Sequence, residues 1–306
     1  MSGKHVIHKP RAGEGLLYDQ PKVTILGVPL SRLNFEESFI RIVHHVRNRR
    51  AGRAASLMHV VTANAEIVVE AQNNSRLMSV LQRADLVTPD GIGVVLASRF
   101  IGLPIPERVT GFDLLVRLLS QAEREKWRVF FLGARPDVIQ AARTRALRHW
   151  PELSVAVHHG FFGPEDDERI VAMINAYGPD LLFVGMGSPQ QDLWIDRYRS
   201  RLQVGVAMGV GGCFDVLAGR VKRAPQIWQR VGLEWLYRVI RQPSRWRRVM
   251  RLPRFVFGVL VAGQRPLNER MGVEGDVHQA SLTPPMASGH NSFREERTVR
   301  SVAHDV

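Results

Sequence analysis

The sequence predicts an α/β fold built on a mostly parallel sheet or sheets with helices on both faces. Short apolar runs such as WRVFFLG and LLFVG are nearly continuous, as in strands that are buried on both sides. They alternate with amphipathic stretches of roughly 10 to 15 residues, the length of the helices in βαβ units. A late basic segment with helical periodicity predicts a basic helical C-terminal appendage to this sheet domain.

The elements at the start of the chain are short. Residues 1–20 are polar and predict a disordered lead-in. VTILGV at 23–28 predicts a first strand, and the next stretch predicts a helix whose first turn is capped by Asn34 with Glu37. A buried strand (SLMHVVTA), a helix at 73–84, a short strand (LVT) and a short helix (GIGVVLASRF) follow.

The second half is regular, and this regularity predicts a Rossmann-like arrangement. From residue 112 helix and strand alternate without a break through FDLLVRLLSQAEREK, WRVFFLG, RPDVIQAARTRALRHW, SVAV, PEDDERIVAMINAYG, LLFVG, SPQQDLWIDRYRSRL and VGVAMGV. We expect residues 21–220 to form one α/β domain that carries the catalytic site, and residues 221–262 to form a basic amphipathic helical appendage. Residues 263–306 are polar and aperiodic, which predicts a disordered tail.

Composition excludes several classes of protein. Apolar residues make up 45% of the 306 residues, enough for a hydrophobic core. A single cysteine, Cys213, excludes an internal disulfide. We expect no secretory signal, since the stretch MSGKHVIHKPRAGEG lacks an apolar h-region. We also expect no membrane span, since no run approaches the roughly 18 to 20 apolar residues that a span needs. The net charge of +13 favours anionic partners, which include nucleic acid, anionic lipid and phosphorylated substrates.

Several strand-to-helix connections, here called corners, contain polar or glycine residues. The corner TPDGIG contains Asp90 between a predicted strand and a predicted helix. A carboxylate there could act as a general base, and Gly91 and Gly93 would let a ligand approach the backbone closely. Asp90 could equally be the N-cap of the helix, and the spacing alone favours the cap. In the corner TANAE, Thr62 and Asn64 could bind sugar or nucleotide hydroxyls, or they could cap the next helix. The residue pattern alone favours the cap.

Two further corners are rich in glycine. VGMGSPQQD would direct Gln190 and Gln191 towards a ligand, but it lacks the G-x-G-x-x-G pattern, which disfavours a nicotinamide enzyme. MGVGGCFD fits close approach to a diphosphate, or simply tight packing. His44–His45 and His158–His159 are adjacent pairs rather than helical i,i+4 pairs, and no D-x-D motif occurs, so we predict no metal site and no cofactor.

The basic segment between Arg220 and Arg254 contains eleven basic residues and one acid, Glu234. Aromatic residues interleave with its arginines, which fits an anionic membrane surface or stacking on nucleic acid. The break at Pro243 would allow some arginines to reach over an active site and bind a diphosphate leaving group.

These stretches together resemble the WecG/TagA/CpsF family of bacterial glycosyltransferases. The resemblance runs in family order over about residues 23–255 and is carried by TANAEIVVEA, LVTPDGIGVV, PERVTGFDLL, VFFLGARPDV, LLFVGMGSPQQD, GVGGCFDVLAG and KRAPQIWQRVGLEWLYRVIRQPSRWRR. It implies transfer of a sugar from a UDP-sugar donor to a saccharide on a polyprenyl diphosphate, at the cytoplasmic face of the membrane.

The resemblance also implies roles for individual residues. The proposed base of the family falls on Asp90, and its other substrate-binding positions fall on Thr62, Asn64, Arg108 and Gln191. Asp192 stands where the family has Glu, which shortens that side chain. Arginines that complete the site over the diphosphate and help membrane docking fall on Arg238, Arg245 and Arg248.

We therefore expect an inverting, metal-independent hexosyltransferase of cell-surface or exopolysaccharide synthesis, with no cofactor. Its expected partners are the UDP-sugar, the polyprenyl-diphosphate-linked acceptor and an anionic membrane surface, without nucleic acid. Its expected place is the cytoplasm, peripheral on the inner face of the bacterial plasma membrane. A non-enzymatic basic protein that binds nucleic acid is the alternative, and the donor sugar, the polymer and the oligomeric state stay open.

Overall fold

The structure, a computed structural model, describes residues 21–54, 56–225, 227–228, 234–241 and 251–263. Its first elements form an antiparallel hairpin of β1 (Lys22–Ile25) and β2 (Val28–Ser31). Leu26 and Gly27 connect them with φ values of 48° and 80°, a left-handed turn that reverses the chain. The prediction of one strand over 23–28 is therefore wrong, because this turn divides that stretch into two strands.

The remaining strands form one parallel sheet of six, which confirms the predicted fold class. In the order β4-β3-β8-β7-β5-β6, each strand pairs in parallel with its neighbours. The strands are β3 (Met58–Ala63), β4 (Leu86–Pro89), β5 (Arg128–Gly133), β6 (Ser154–His158), β7 (Leu181–Gly185) and β8 (Val206–Gly209).

Helices connect the strands. They are α1 (Phe35–Arg50), α2 (Ala65–Gln72), α3 (Ser75–Arg83), α4 (Ile92–Phe100), α5 (Gly111–Glu125), α6 (Pro136–His149), a 3₁₀ turn (Pro164–Asp166), α7 (Asp167–Tyr177), α8 (Gln190–Tyr198), α9 (Cys213–Leu217), α10 (Glu234–Arg241) and α11 (Leu252–Gly263). The predicted capping pair of α1 is confirmed, since Asn34 Oδ1 accepts from the amide of Glu37 while the Glu37 carboxylate accepts from the amide of Asn34.

Both faces of the sheet are covered. Along β5, Val129 and Phe131 pack into one apolar core with α1, α5, α6 and α9, while Phe130 and Leu132 pack into another with α7 and α8. This alternation explains why β5 is apolar at four consecutive positions, Val129–Leu132: each residue meets a helix on one side or the other.

A third core lies beneath the hairpin, on the other half of the sheet. It contains side chains of β1, β2, α2, α3 and α4 and also two from α11, Phe255 and Val259, which are 3% and 6% exposed. The described helix α11 is thus packed against the sheet domain, although it falls in the segment 221–262 that the sequence predicts to be an appendage.

The chain reverses direction across the sheet between β5 and β7. The connection after β5 leads outwards to β6, whereas the connection after β7 leads back to β8. Gly133 and Gly185 end these strands, and a Cβ on Gly133 would lie 2.4 Å from the Gly185 carbonyl oxygen. Such a reversal opens a crevice at the carboxyl edge of the sheet, where ligands of α/β proteins bind.

Candidate active site

Asp90 follows β4 at the carboxyl edge of the sheet. Its amide donates to the carbonyl of Ala63, at the end of the neighbouring β3, over 2.9 Å. The N-cap of α4 is Gly91, with no side-chain capping bond. The interpretation of Asp90 as the N-cap of that helix is therefore wrong. Its Oδ2 instead accepts from the amide of Gly111, 3.1 Å away, at the first residue of α5.

The N-terminus of α5 holds this carboxylate in place. Val109 donates to the carbonyl of Pro89 over 2.9 Å, which joins the segment before α5 to the end of β4. Thr110 is the N-cap of α5, and its hydroxyl oxygen accepts from the amide of Asp113. The first amides of a helix carry partial positive charge, so the Asp90 carboxylate lies where negative charge is favoured.

Thr62 and Asp90 meet at Gly111. A Cβ on Gly111 would lie 3.0 Å from Thr62 Cγ2 and 3.5 Å from Asp90 Oδ2, so glycine is the residue that lets these side chains approach the helix start. The Thr62 hydroxyl donates to the carbonyl of Gly209, at the end of β8, over 3.3 Å. The cap role favoured for Thr62 is therefore wrong, because the N-cap of α2 is Asn64. Gly111 was missed by sequence reasoning; its signal is a glycine directly after a capping threonine in the stretch VTG.

Asn64 and the two glycines after Asp90 lie beside this pair. Asn64 Oδ1 accepts from the amide of Ile67 over 3.0 Å, which confirms the capping role predicted for it. A Cβ on Gly91 would lie 3.4 Å from Asn64 Cβ, so Gly91 lies against that side chain. Gly93 faces the interior, where a Cβ would lie 3.4 Å from Ala65 and 3.9 Å from Phe255 of α11. Substrate contacts of these residues stay predictions.

Gln191 is buried beneath the glycine-rich loop that follows β8. Its side chain is 3% exposed, and its Oε1 accepts from the amide of Gly211 over 2.9 Å. A Cβ on Gly209 would lie 2.5 Å from Gln191 Nε2 and 2.6 Å from Asp192 Oδ1. The structure therefore places Gln191 where it holds this loop from below, while the exposed neighbour Gln190 lies outside.

Asp192 is a buried acid at the same place. Its side chain is 0% exposed, and neither carboxylate oxygen forms a hydrogen bond of normal geometry with any described residue. Burial raises the pKa of Asp192 to about 7, against the opposing effect of the nearby Ser188 hydroxyl and Gln191 amide. Burial therefore favours the protonated form of this acid.

Arg108 pairs with an acid from the C-terminal segment. Its Nη1 lies 3.1 Å from Oε2 of Glu234, at the start of α10, and both side chains are largely buried. A second pair joins Arg223 to Asp113, with Nη1–Oδ1 and Nη2–Oδ2 distances of 2.7 and 2.8 Å. Sequence reasoning missed Asp113 and Arg223, and it recorded Glu234 only as the single acid of a basic segment.

The other predicted arginines are outside what the structure shows. Arg238 lies in α10, but its side chain is not among the described parts, and Arg245 and Arg248 lie outside the described residues. Within the described ranges, no three or more His, Cys, Asp or Glu side chains are grouped so that they could hold a metal ion. None of the helices there combines the length and apolar character that a membrane crossing needs.

Comparison with known proteins gives the family. The profile of the glycosyl transferase WecG/TagA/CpsF family matches residues 23–269. The chain is 40% identical over 233 residues to an N-acetylglucosaminyldiphosphoundecaprenol N-acetyl-beta-D-mannosaminyltransferase of Bacillus spizizenii, covering 76% of this chain and 90% of that relative. Proteins of the same name from the Staphylococcus aureus strains MW2 and NCTC 8325 are 34% identical over 244 residues, covering 80% of this chain and 94% of each relative.

The match spans nearly all of these relatives and includes every corner described above. The chain therefore belongs to the WecG/TagA/CpsF family of glycosyl transferases, and it is an enzyme rather than the non-enzymatic nucleic-acid-binding protein that its charge alone would allow.

Proposed function

We propose that this enzyme transfers N-acetylmannosamine, with inversion, from its UDP derivative to N-acetylglucosamine carried on a polyprenyl diphosphate, and that it needs no metal ion. Asp90 removes the proton of the acceptor hydroxyl. The freed oxygen forms a bond to the anomeric carbon of the donor sugar, and the bond from that carbon to UDP breaks, so that UDP leaves with the electron pair.

One observation carries the proposal: the Asp90 carboxylate lies at the carboxyl edge of the sheet, fixed by Gly111 at a helix start and beside Thr62. A base must be held in one orientation and must stay ionised, and this setting favours both. The identity of the sugars is supported by the relatives, whose name specifies both the transferred sugar and the acceptor.

The crevice between β5 and β7 is the proposed place of the UDP moiety. The backbone is closely packed at this edge, where a Cβ on Gly133 would lie 2.4 Å from the Gly185 carbonyl oxygen and a Cβ on Gly160 2.9 Å from Gly133 Cα. Asp90, after β4, is three strands away from the end of β7, or about 14 Å at the usual strand spacing. A donor extended along the carboxyl edge from this crevice would bring its sugar towards Asp90.

The experiment that tests this function is a panel of UDP-sugars incubated with a short-chain polyprenyl-diphosphate-linked N-acetylglucosamine. We expect UDP release and product with UDP-N-acetylmannosamine, at a rate that EDTA leaves unchanged, because arginines neutralise the leaving diphosphate. Transfer of a different sugar would contradict the donor assignment. Loss of the rate in EDTA with recovery on added Mg²⁺ would contradict metal independence.

Helix α11 supports docking on a membrane surface. Phe255 and Val259 face the core, whereas Val256 and Phe257 on the outer side are 54% and 69% exposed. Leu260 and Val261 continue this outer apolar face, and basic residues precede the helix. We propose that this face lies in the interface of an anionic membrane, where the lipid-linked acceptor is found.

The exposed apolar face of α11 gives a direct prediction. Replacing Phe257 with Asp should weaken binding to vesicles that contain anionic lipid by roughly tenfold or more, since it places a charge where an aromatic side chain enters the interface. Sedimentation with vesicles measures this. Phe161, which is 67% exposed after β6, provides the matched control. Equal losses for Phe257→Asp and Phe161→Asp would show that α11 is not the docking face.

A further inference from the structure

The two acid–arginine pairs beside Asp90 form one cluster of alternating charge. Arg108 and Asp113 flank the start of α5, while Arg223 and Glu234 come from the segment after the sheet domain. Besides these two direct pairs, Asp113 is close enough to Arg108 for their opposite charges to attract. The same holds for Arg223 and Glu234. Each charge therefore has opposite charges on both sides.

The pair of Arg223 and Asp113 is the tighter of the two. Arg223 is 8% exposed and binds both carboxylate oxygens, and its guanidinium lies 5.1 Å from the centre of the Phe112 ring. Burial would raise the pKa of Asp113, but the hydrogen bonds and charge of Arg223, with the Thr110 hydroxyl, hold it below its ordinary value. A buried arginine with two such bonds is an anchor, because removing its acid leaves an uncompensated charge.

The cluster lies at the helix start that also holds Asp90, the proposed base. Asp90 binds the amide of Gly111, which stands in the chain between Arg108 and Asp113. Any segment fixed to both of these residues is therefore fixed close to Asp90. The segment in question carries most of the late basic residues, including those to which the family resemblance assigns the diphosphate.

We propose that Arg108, Asp113, Arg223 and Glu234 form a charge clasp that fixes the C-terminal segment against the start of α5, and that Asp113 and Glu234 are thereby positioning residues for sugar transfer. The clasp gives a role to the single acid in the basic segment, because Glu234 is the side chain through which α10 contacts Arg108. The role in transfer rests on the proposed function, whereas the fixing of the segment does not.

Hydrogen exchange and turnover test the clasp in the full-length protein. Asp113→Asn and Glu234→Gln should each make the amides of 234–241 exchange about tenfold faster or more, with the exchange of β3 and β4 unchanged. Each should lower kcat by about tenfold or more, since the arginines are no longer held over the leaving group. In the double variant, amide exchange should be little faster and kcat little lower than in either single variant, because the pairs act as one unit.

The matched control is Glu152→Gln, which removes the exposed pair with Lys126 and should change neither exchange nor kcat. Unchanged amide exchange in 234–241 would overturn the clasp. It would also be overturned if the fold-changes in the double variant equalled the product of those in the two single variants. Faster exchange with unchanged kcat would overturn the positioning role. Because exchange is measured without substrate, its result stands even if the proposed donor or acceptor is wrong.

Discussion

Replacing Asp90 with Asn should lower kcat for sugar transfer by about a hundredfold or more, while binding of UDP stays close to that of the unchanged protein. Asparagine keeps an oxygen that can accept from the amide of Gly111, so the contact between the end of β4 and the start of α5 should keep its geometry. It cannot take up the proton of the acceptor hydroxyl. The loss therefore falls on the chemical step and not on folding or donor binding.

Single-turnover measurements, with UDP binding followed by calorimetry, separate these effects. The conservative change Asp166→Asn, in the turn after β6, serves as the control and should leave the rate unchanged. The limb of the pH–rate profile that reports ionisation of the base should also disappear in Asp90→Asn. An Asp90→Asn enzyme of full activity would exclude Asp90 as the base, and a parallel loss of UDP binding would indicate a structural role.

Replacing Asp192 with Asn should change stability in a manner that depends strongly on pH. Burial raises the pKa of Asp192 to about 7 in the folded protein, against about 3.9 for an aspartate in an unfolded chain. Below the pKa of the unfolded chain, Asp192 is protonated in both the folded and the unfolded state, so its ionisation contributes nothing to the free energy of unfolding. As pH rises towards the folded pKa, the unfolded chain releases the proton while the folded protein keeps it, so the folded protein loses stability.

Asparagine does not ionise and avoids this loss. The free energy of unfolding of Asp192→Asn, relative to the unchanged protein, should therefore grow by roughly 2–3 kcal/mol between about pH 5 and about pH 8. Urea unfolding at both pH values measures it, with Glu165→Gln as an exposed control. A difference that is the same at both pH values would show that Asp192 is not a buried acid with a raised pKa.

The fold could be predicted largely from patterns that act over short distances. Apolar runs at every position mark strands buried on both faces, and the sheet indeed alternates Phe130 and Phe131 between two cores. The hairpin at the start was missed because its turn depends on Leu26, a residue that rarely takes a left-handed conformation. A leucine at this position gives no sequence signal for a left-handed turn.

The site could be predicted only as a set of corners. Parallel strands bring their carboxyl ends to one edge, and Thr62, Asn64 and Asp90, each near the end of a predicted strand, lie on the adjacent strand ends of β3 and β4. The hydrogen bond from Gly111 to Asp90 spans 21 positions and the Arg108–Glu234 contact 126, so neither follows from spacing. Such contacts depend on how the loop before α5 and the C-terminal segment return to the sheet.

In the proposed reaction Asp90 accepts the proton of the acceptor hydroxyl. The most direct test of this step is a structure of the enzyme with a non-transferable UDP-sugar analogue and a short-chain polyprenyl-diphosphate-linked acceptor. We expect the acceptor hydroxyl oxygen to lie about 2.6–3.2 Å from a carboxylate oxygen of Asp90, on the side facing the anomeric carbon. An acceptor hydroxyl bound to another side chain, with Asp90 turned away from it, would rule out proton transfer to Asp90.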